Sequence, residues 1–325
     1  MMKNRYFRLS AACAALALVV SGCAGSDAPA EPVTKESIRA AFNEALETAQ
    51  STTGPGAPVL WSLSDEDTVI YFFGTVHLLR PGLEWRTPEI DAAIVSADTL
   101  VFEVDMNSEA AQRAVATDFL TRGMFDDGRT LQAVLPDDQE AVIAEAFDSI
   151  GVPLLAMNTF EPWMASLNLS VLNLQKEGYD PNSGVENVLY AEGAATGKTF
   201  EYLESIEKQA DAFDLLPEDV QIAMLYETAL MLDESTAMLD HLVDEWAEGD
   251  IAGLAALGAD PDGVGMSDAA YEAILVTRNK AWVPQIEDML ETPGTVFIAA
   301  GAAHFAGPDS VITMLRDKGY EVEGP

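Results

Sequence analysis

The distribution of apolar and polar positions predicts an α/β protein. Val59–Leu63 alternates as a strand, Ser64-Asp65-Glu66-Asp67 makes a polar turn, and Thr68-Val69-Ile70-Tyr71-Phe72-Phe73 follows as a nearly unbroken apolar run. Alternation suits a strand with one face covered, and an unbroken run suits a strand covered on both. Ile90, Ala93, Ile94 and Ala97 then share one helical face, and Thr99–Val104 reads as the next strand. Strand, helix and strand within about forty residues make a βαβ unit, with parallel strands and a right-handed crossover. Further on, Asp137–Ile150 is amphipathic, with Asp137 and Glu140 at capping-box spacing and Gly151 as its stop. Helices are also expected over Trp163–Gln175, Asn187–Ala195, a long region from Pro217 to about Ala247, Tyr271–Leu290 and Pro308–Lys318. Short strands are expected at Thr199–Leu203 and Tyr320–Val322. Met224, Met231 and Met238 recur at helical spacing and read as core filling.

The apolar run of the first strand occurs twice. Thr68-Val69-Ile70-Tyr71-Phe72-Phe73-Gly74-Thr75-Val76-His77 is matched by Thr295-Val296-Phe297-Ile298-Ala299-Ala300-Gly301-Ala302-Ala303-His304. Each copy breaks at a glycine and places a histidine three residues later, and these use two of the chain's 3 histidines. With glycine at roughly 7% of positions, two unrelated histidines both follow Gly at this spacing about once in two hundred chains. Either the two loops have unrelated local roles, or both imidazoles meet at one site. Glu103, at the end of the strand Thr99–Val104, lies on the same expected edge, where open α/β sheets hold ligands. The expected fold is therefore a central mixed sheet built from two related G-x-x-H βα halves. Helices lie on both faces, with a helical insertion at about 106–260.

The N-terminus changes the picture of where the protein works. Lys3, Arg5 and Arg8 precede the apolar run Ala11–Val20, and Val20-Ser21-Gly22-Cys23 follows. A basic segment, a short apolar run and small residues before the cut mark a secretory signal. Cysteine directly after Ser-Gly is the pattern of a bacterial lipobox, with an ordinary signal peptide as the other reading. Residues 1–22 are thus expected to be a lipoprotein signal peptide and Cys23 the acylated N-terminus. Residues 23–57 would be a tether with a helix at Lys35–Gln50 that packs on the domain or lengthens a stalk, and 58–325 the folded domain. Ala24 after Cys23 favours the outer membrane where there are two, so the expected place is the cell envelope, on the periplasmic side of that membrane. Cys13 falls in the discarded segment, which leaves no disulfide framework. Net charge is −37, and loss of three basic residues takes it to −40 (−37 − 3). Such a surface repels nucleic acid and anionic headgroups. Oligomeric state stays open.

Seven motifs, in order over about Val59–Glu323, resemble the TraB/GumN family. This family is related to the animal Tiki proteases, within a group that includes erythromycin-esterase-like and ChaN-like proteins. The motifs are the hairpin into Gly74-Thr75-Val76-His77, then Phe102-Glu103-Val104-Asp105, then Gly184-Val185-Glu186, then Tyr202-Leu203-Glu204 with Gln209. Trp246 with Gly249-Asp250, Arg278-Asn279 with Trp282, and Gly301-Ala302-Ala303-His304 before Gly319-Tyr320 complete the set. One departure is Ala302-Ala303-His304-Phe305 where Gly-His-Leu is more usual.

Two imidazoles and one or two carboxylates at strand ends suit a divalent metal with an open position, and N/O ligation fits Zn, Mn, Co or Fe. A metal so held supplies hydroxide near neutral pH, a second carboxylate moves the proton, and an arginine stabilises a developing oxyanion. The resemblance implies the same cast and metal-dependent activity with Mn, Co or Zn. His77 and His304 are the expected ligands, Glu103 a ligand or general base, Glu186 the other carboxylate and Arg278 the electrostatic clamp. The expected activity is a membrane-tethered metal-dependent hydrolase, peptidase-like, acting on a peptide or small molecule. The alternative is a non-catalytic lipoprotein that captures haem or peptide, since histidine is also a haem ligand. His241, beside Asp240 and Asp244, reads as a surface residue.

Overall fold

The computed structural model describes residues 33–259 and 267–325. The signal segment, Cys23 and the start of the tether, up to residue 32, lie outside the described residues. Five strands form one mixed sheet in the order β1-β2-β5-β3-β4: β1 Leu60–Ser64, β2 Thr68–Thr75, β3 Thr99–Phe102, β4 Thr199–Tyr202 and β5 Gly294–Gly301. The β1–β2 hairpin is antiparallel and every other pairing is parallel. The two repeated runs lie side by side at the centre, with Phe73 opposite Ala299 and Thr75 opposite Gly301. Their unbroken apolar character follows from this position, because central strands bury both faces. Phe72, Phe73 and Phe297 are fully buried, each contributing about 1.5–3 kcal/mol relative to exposure.

Helices cover both faces, as the period-two alternation of the strands requires. Phe73, Leu100, Phe102, Phe297 and Ala299 face helices Pro88–Ser96, Val185–Thr196 and Ser235–Glu248. Ile70, Phe72, Val101, Ile298 and Ala300 face Thr277–Leu290 and Val311–Asp317. Beyond the sheet, Asp137–Ser149, Pro162–Lys176 and Glu218–Leu230 pack through residues such as Phe147, Leu169 and Leu225. Lys35–Ala49 docks against Ile251–Gly258 through Ile38, Ala45, Ala49 and Leu257, so it packs on the domain. Met224 and Met231 are buried, and Met238 packs beside Met231.

Several local expectations are corrected. The capping box at Asp137 and Glu140 does not form; Pro136 is the N-cap residue, with no side-chain cap, and Asp137 is already inside the helix. The region after Pro217 is two helices, Glu218–Leu230 and Ser235–Glu248, separated by a turn at 231–234. The helix expected at Asn187–Ala195 starts at Val185, and the last is only Val311–Asp317, capped by Ser310. The terminal strand reduces to one bridge, Ser62 with Glu323. The insertion between 106 and 260 is not all helical, because β4 leaves it to pair with β3. Among the described residues, no helix is long and apolar enough to cross a membrane.

Candidate functional site

The site lies at the C-terminal ends of β2, β3, β4 and β5. Just past β2, Val76 accepts a backbone bond from Val185 at 3.1 Å, and the Trp246 indole donates to the Gly74 carbonyl at 2.8 Å. Gly184 approaches so closely that a Cβ there would lie 2.1 Å from the His77 carbonyl oxygen. These contacts fix the turn that presents His77. Helix Val185–Thr196 starts at this point and carries Glu186 in its first turn, where the helix dipole favours a carboxylate.

Glu186 Oε1 stands 2.5 Å from His77 Nδ1 and accepts a second bond from the Thr75 hydroxyl. His77 therefore donates from Nδ1 and turns Nε2 toward Glu103, with 4.0 Å between Nε2 and Oε1. Burial alone lowers the His77 pKa, but the Glu186 carboxylate outweighs it and the net direction is up.

His304 is held in the same manner from the other side. Asn279 donates through Nδ2 to the Asp309 carbonyl at 2.8 Å, which leaves Oδ1 to accept from His304 Nδ1 at 2.6 Å. The ring packs on Trp282 with centroids 4.3 Å apart. Its Nε2 is 4.0 Å from Glu103 Oε1 and 3.1 Å from Arg278 Nη1. Burial, then the Arg278 charge, takes the His304 pKa down to about 3, so the ring is neutral at physiological pH.

Glu103 is buried between them. Oε1 accepts from the Gly301 N–H at 2.6 Å and Oε2 from Arg278 Nη2 at 2.5 Å and Gln209 at 3.3 Å. Burial pushes its pKa up, but Arg278, the two histidines and the Gly301 N–H prevail and hold it at about 2. Arg278 is reached through a π-helical stretch, Glu272–Val276, at the start of its helix, a feature frequent at functional sites. All five guanidinium donors are engaged within the protein. Nε and Nη2 bond Glu204, Nη2 also Glu103, and Nη1 serves the Ile274 carbonyl and His304 Nε2.

The structure thus brings His77, Glu103, Glu186, Arg278 and His304 into one cluster. Cys23 lies outside the described residues, and His241 stands apart against Phe42. Arg278 holds carboxylates and His304, and every donor expected to face a substrate oxyanion is already committed. Sequence reasoning missed the roles of Glu204, Asn279 and Thr75. Glu204 follows β4 as Glu103 follows β3, and its N–H donates to the Glu103 carbonyl at 2.8 Å; this strand-end position was the available signal.

Among the described residues, no group of three or more His, Cys, Asp or Glu side chains lies at metal-ligand spacing. In donor type and support the cluster nevertheless fits a divalent ion. Each imidazole is fixed at Nδ1 by an acceptor, the usual outer support of a metal-binding histidine. Each Nε2 is 4.0 Å from the same Glu103 oxygen, so two imidazole nitrogens and a carboxylate oxygen converge as the donors that would hold a divalent ion. Gly301 keeps the space clear: a Cβ there would lie 3.2 Å from both Glu103 Oε1 and His77 Nε2.

A model of the TraB/PrgY/gumN family matches residues 59–324. A protein of Treponema pallidum (strain Nichols), described as uncharacterized, is 23% identical over 274 residues, covering 80% of each chain. No solved structure matches the chain.

Proposed function

This chain belongs to the TraB/PrgY/gumN family, and from that premise we propose that it is a metal-dependent hydrolase of the cell envelope, with peptide bonds as its substrate class. The observation that carries the proposal is the approach of both Nε2 atoms to within 4.0 Å of Glu103 Oε1, each ring being held at Nδ1 by its own acceptor. His77 Nε2, His304 Nε2 and Glu103 Oε1 would hold the ion, with Mn, Co and Zn as candidates. Bound there, it would polarise a carbonyl and lower the pKa of water. Glu103 stays ionised throughout the working pH range because its pKa is held at about 2. Glu186 fixes the His77 tautomer through Oε1. It is the less buried of the two carboxylates, and as the second carboxylate it would take the proton from water and return it to the leaving amine. Arg278 keeps Glu103 in place. Acylation at Cys23 would hold the enzyme at the membrane, and Cys23→Ala would release it to the soluble fraction.

The test is a peptide-library screen with Mn, Co or Zn, comparing the wild type with Glu103→Gln. Cleavage that chelator abolishes and Glu103→Gln lacks supports the reading; equal cleavage by both proteins refutes it. The bond from Arg278 Nη1 to His304 Nε2 favours a second reading, in which His77 alone, oriented by Glu186, acts as general base. Chelator-resistant cleavage lost in His77→Ala would select that one. Capture of haem without cleavage would show as a Soret band shifted by His77→Ala.

A further inference from the structure

We infer that Glu204 is a positioning residue for the centre: it aims Arg278 and supplies the negative charge that lets a cationic ligand bind beside that guanidinium. Glu204 accepts from Arg278 Nε at 3.0 and 3.1 Å and from Nη2 at 2.6 Å. This two-pronged grip fixes the guanidinium plane. Only with that plane fixed do Nη2 reach Glu103 and Nη1 reach His304. Glu204 also accepts from the Trp282 indole at 3.3 Å, and Trp282 is the ring against which His304 packs. Two of the contacts that place His304 therefore run back to this one carboxylate.

Glu204 also changes the net charge of the centre. Arg278 and Glu103 alone cancel, which leaves the Glu186 carboxylate, behind His77, as the other attraction for a dication. Glu204 takes the buried group to a net charge of about −1 (+1 − 1 − 1), in surroundings where charges act strongly. Its side chain is only 7% exposed, so solvent does little to screen it. Leu203 and Glu204 are set in place by continued parallel pairing beyond β4, and Gln285 clamps the Leu203 carbonyl at 2.9 Å.

The charge role rests on the metal-dependent reading above, whereas the aiming role does not, and the experiment separates them. Mn binding is measured by titration calorimetry on full-length wild type, Glu204→Gln and Glu204→Asp. At fixed neutral pH, the His304 ring nitrogens are recorded by 15N NMR in the same three proteins. Glu204→Gln keeps the size but loses the charge and turns one of the two acceptor oxygens into an N–H donor, and it should weaken Mn binding at least tenfold. Glu204→Asp should stay within about threefold of the wild type. The His304 Nε2 resonance should move in Glu204→Gln, because Arg278 loses its aim, and return toward the wild-type position in Glu204→Asp. Wild-type Mn affinity in a folded Glu204→Gln overturns the charge role. If the wild type binds no Mn, the metal-dependent reading and the charge role fall together, and the NMR comparison alone decides the aiming role. An unmoved Nε2 resonance in Glu204→Gln overturns that role in either case.

Discussion

Replacing Arg278 with Met removes the one cation that two buried carboxylates share. Arg278, Glu103 and Glu204 side chains are each only 7% exposed, and breaking such a pair by deleting one partner costs about 3–5 kcal/mol. A separate route gives a similar figure. The Glu103 pKa is held at about 2 against an ordinary 4.5, and at about 1.36 kcal/mol per unit this corresponds to about 3 kcal/mol. Because that pKa is depressed, the stabilisation is complete above the unfolded-state value near 4.5 and is lost as pH falls through about 2. At pH 3 only about 1–1.5 kcal/mol of it remains. Glu204, whose pKa is raised by burial despite Arg278, reinforces the trend, since its carboxylate in the variant is relieved by protonation. Urea unfolding followed by tryptophan fluorescence at pH 7 and pH 3, either side of the sequence pI of about 4.1, measures both gaps. Arg278→Met should be less stable by about 3–5 kcal/mol at pH 7, with the gap at least halved at pH 3. A loss below about 1 kcal/mol at pH 7, or the same loss at both pH values, would refute the reasoning.

Other substitutions probe how the histidine loops are held. Gly184→Ala would set a Cβ 2.1 Å from the His77 carbonyl oxygen; it should cost about 1–3 kcal/mol by urea unfolding and displace the His77 ring resonances. Trp246→Phe leaves the buried Gly74 carbonyl without its donor, and a loss of about 1–3 kcal/mol in the same assay is expected. Glu186→Gln removes the group that raises the His77 pKa. The imidazole should titrate at lower pH by NMR, and the acid limb of any kcat/KM profile should move the same way. Gly301→Ala pushes a methyl to 3.2 Å from Glu103 Oε1 and His77 Nε2; metal affinity should fall while the thermal midpoint stays nearly unchanged.

Much of this arrangement was legible because it is written in local pattern. The apolar runs before Gly74 and Gly301 are nearly unbroken because β2 and β5 are the neighbouring central strands, and a strand buried on both faces favours apolar residues along its whole length. Glu103 was readable as a strand-end residue for the same reason. The supporting contacts were not readable. Thr75, Asn279 and Glu204 are single polar residues whose partners lie 111, 25 and 74 positions away, and no periodicity encodes such distances. The false capping box at Asp137 shows the opposite limit, where a correct spacing is overridden once Pro136 takes the cap position. Arg278 was reached through its motif with Asn279 and Trp282. Its role changed because charge alone does not reveal that all five donors are already occupied.

The central claim is that two histidine loops, 227 positions apart (304 − 77), serve one ion-binding hydrolytic centre. Elemental analysis of the dialysed protein, wild type against the His77→Ala/His304→Ala double variant, tests it most directly. The account predicts one divalent ion per wild-type chain and none in the double variant. Full occupancy in the double variant, with the fold intact, would contradict it.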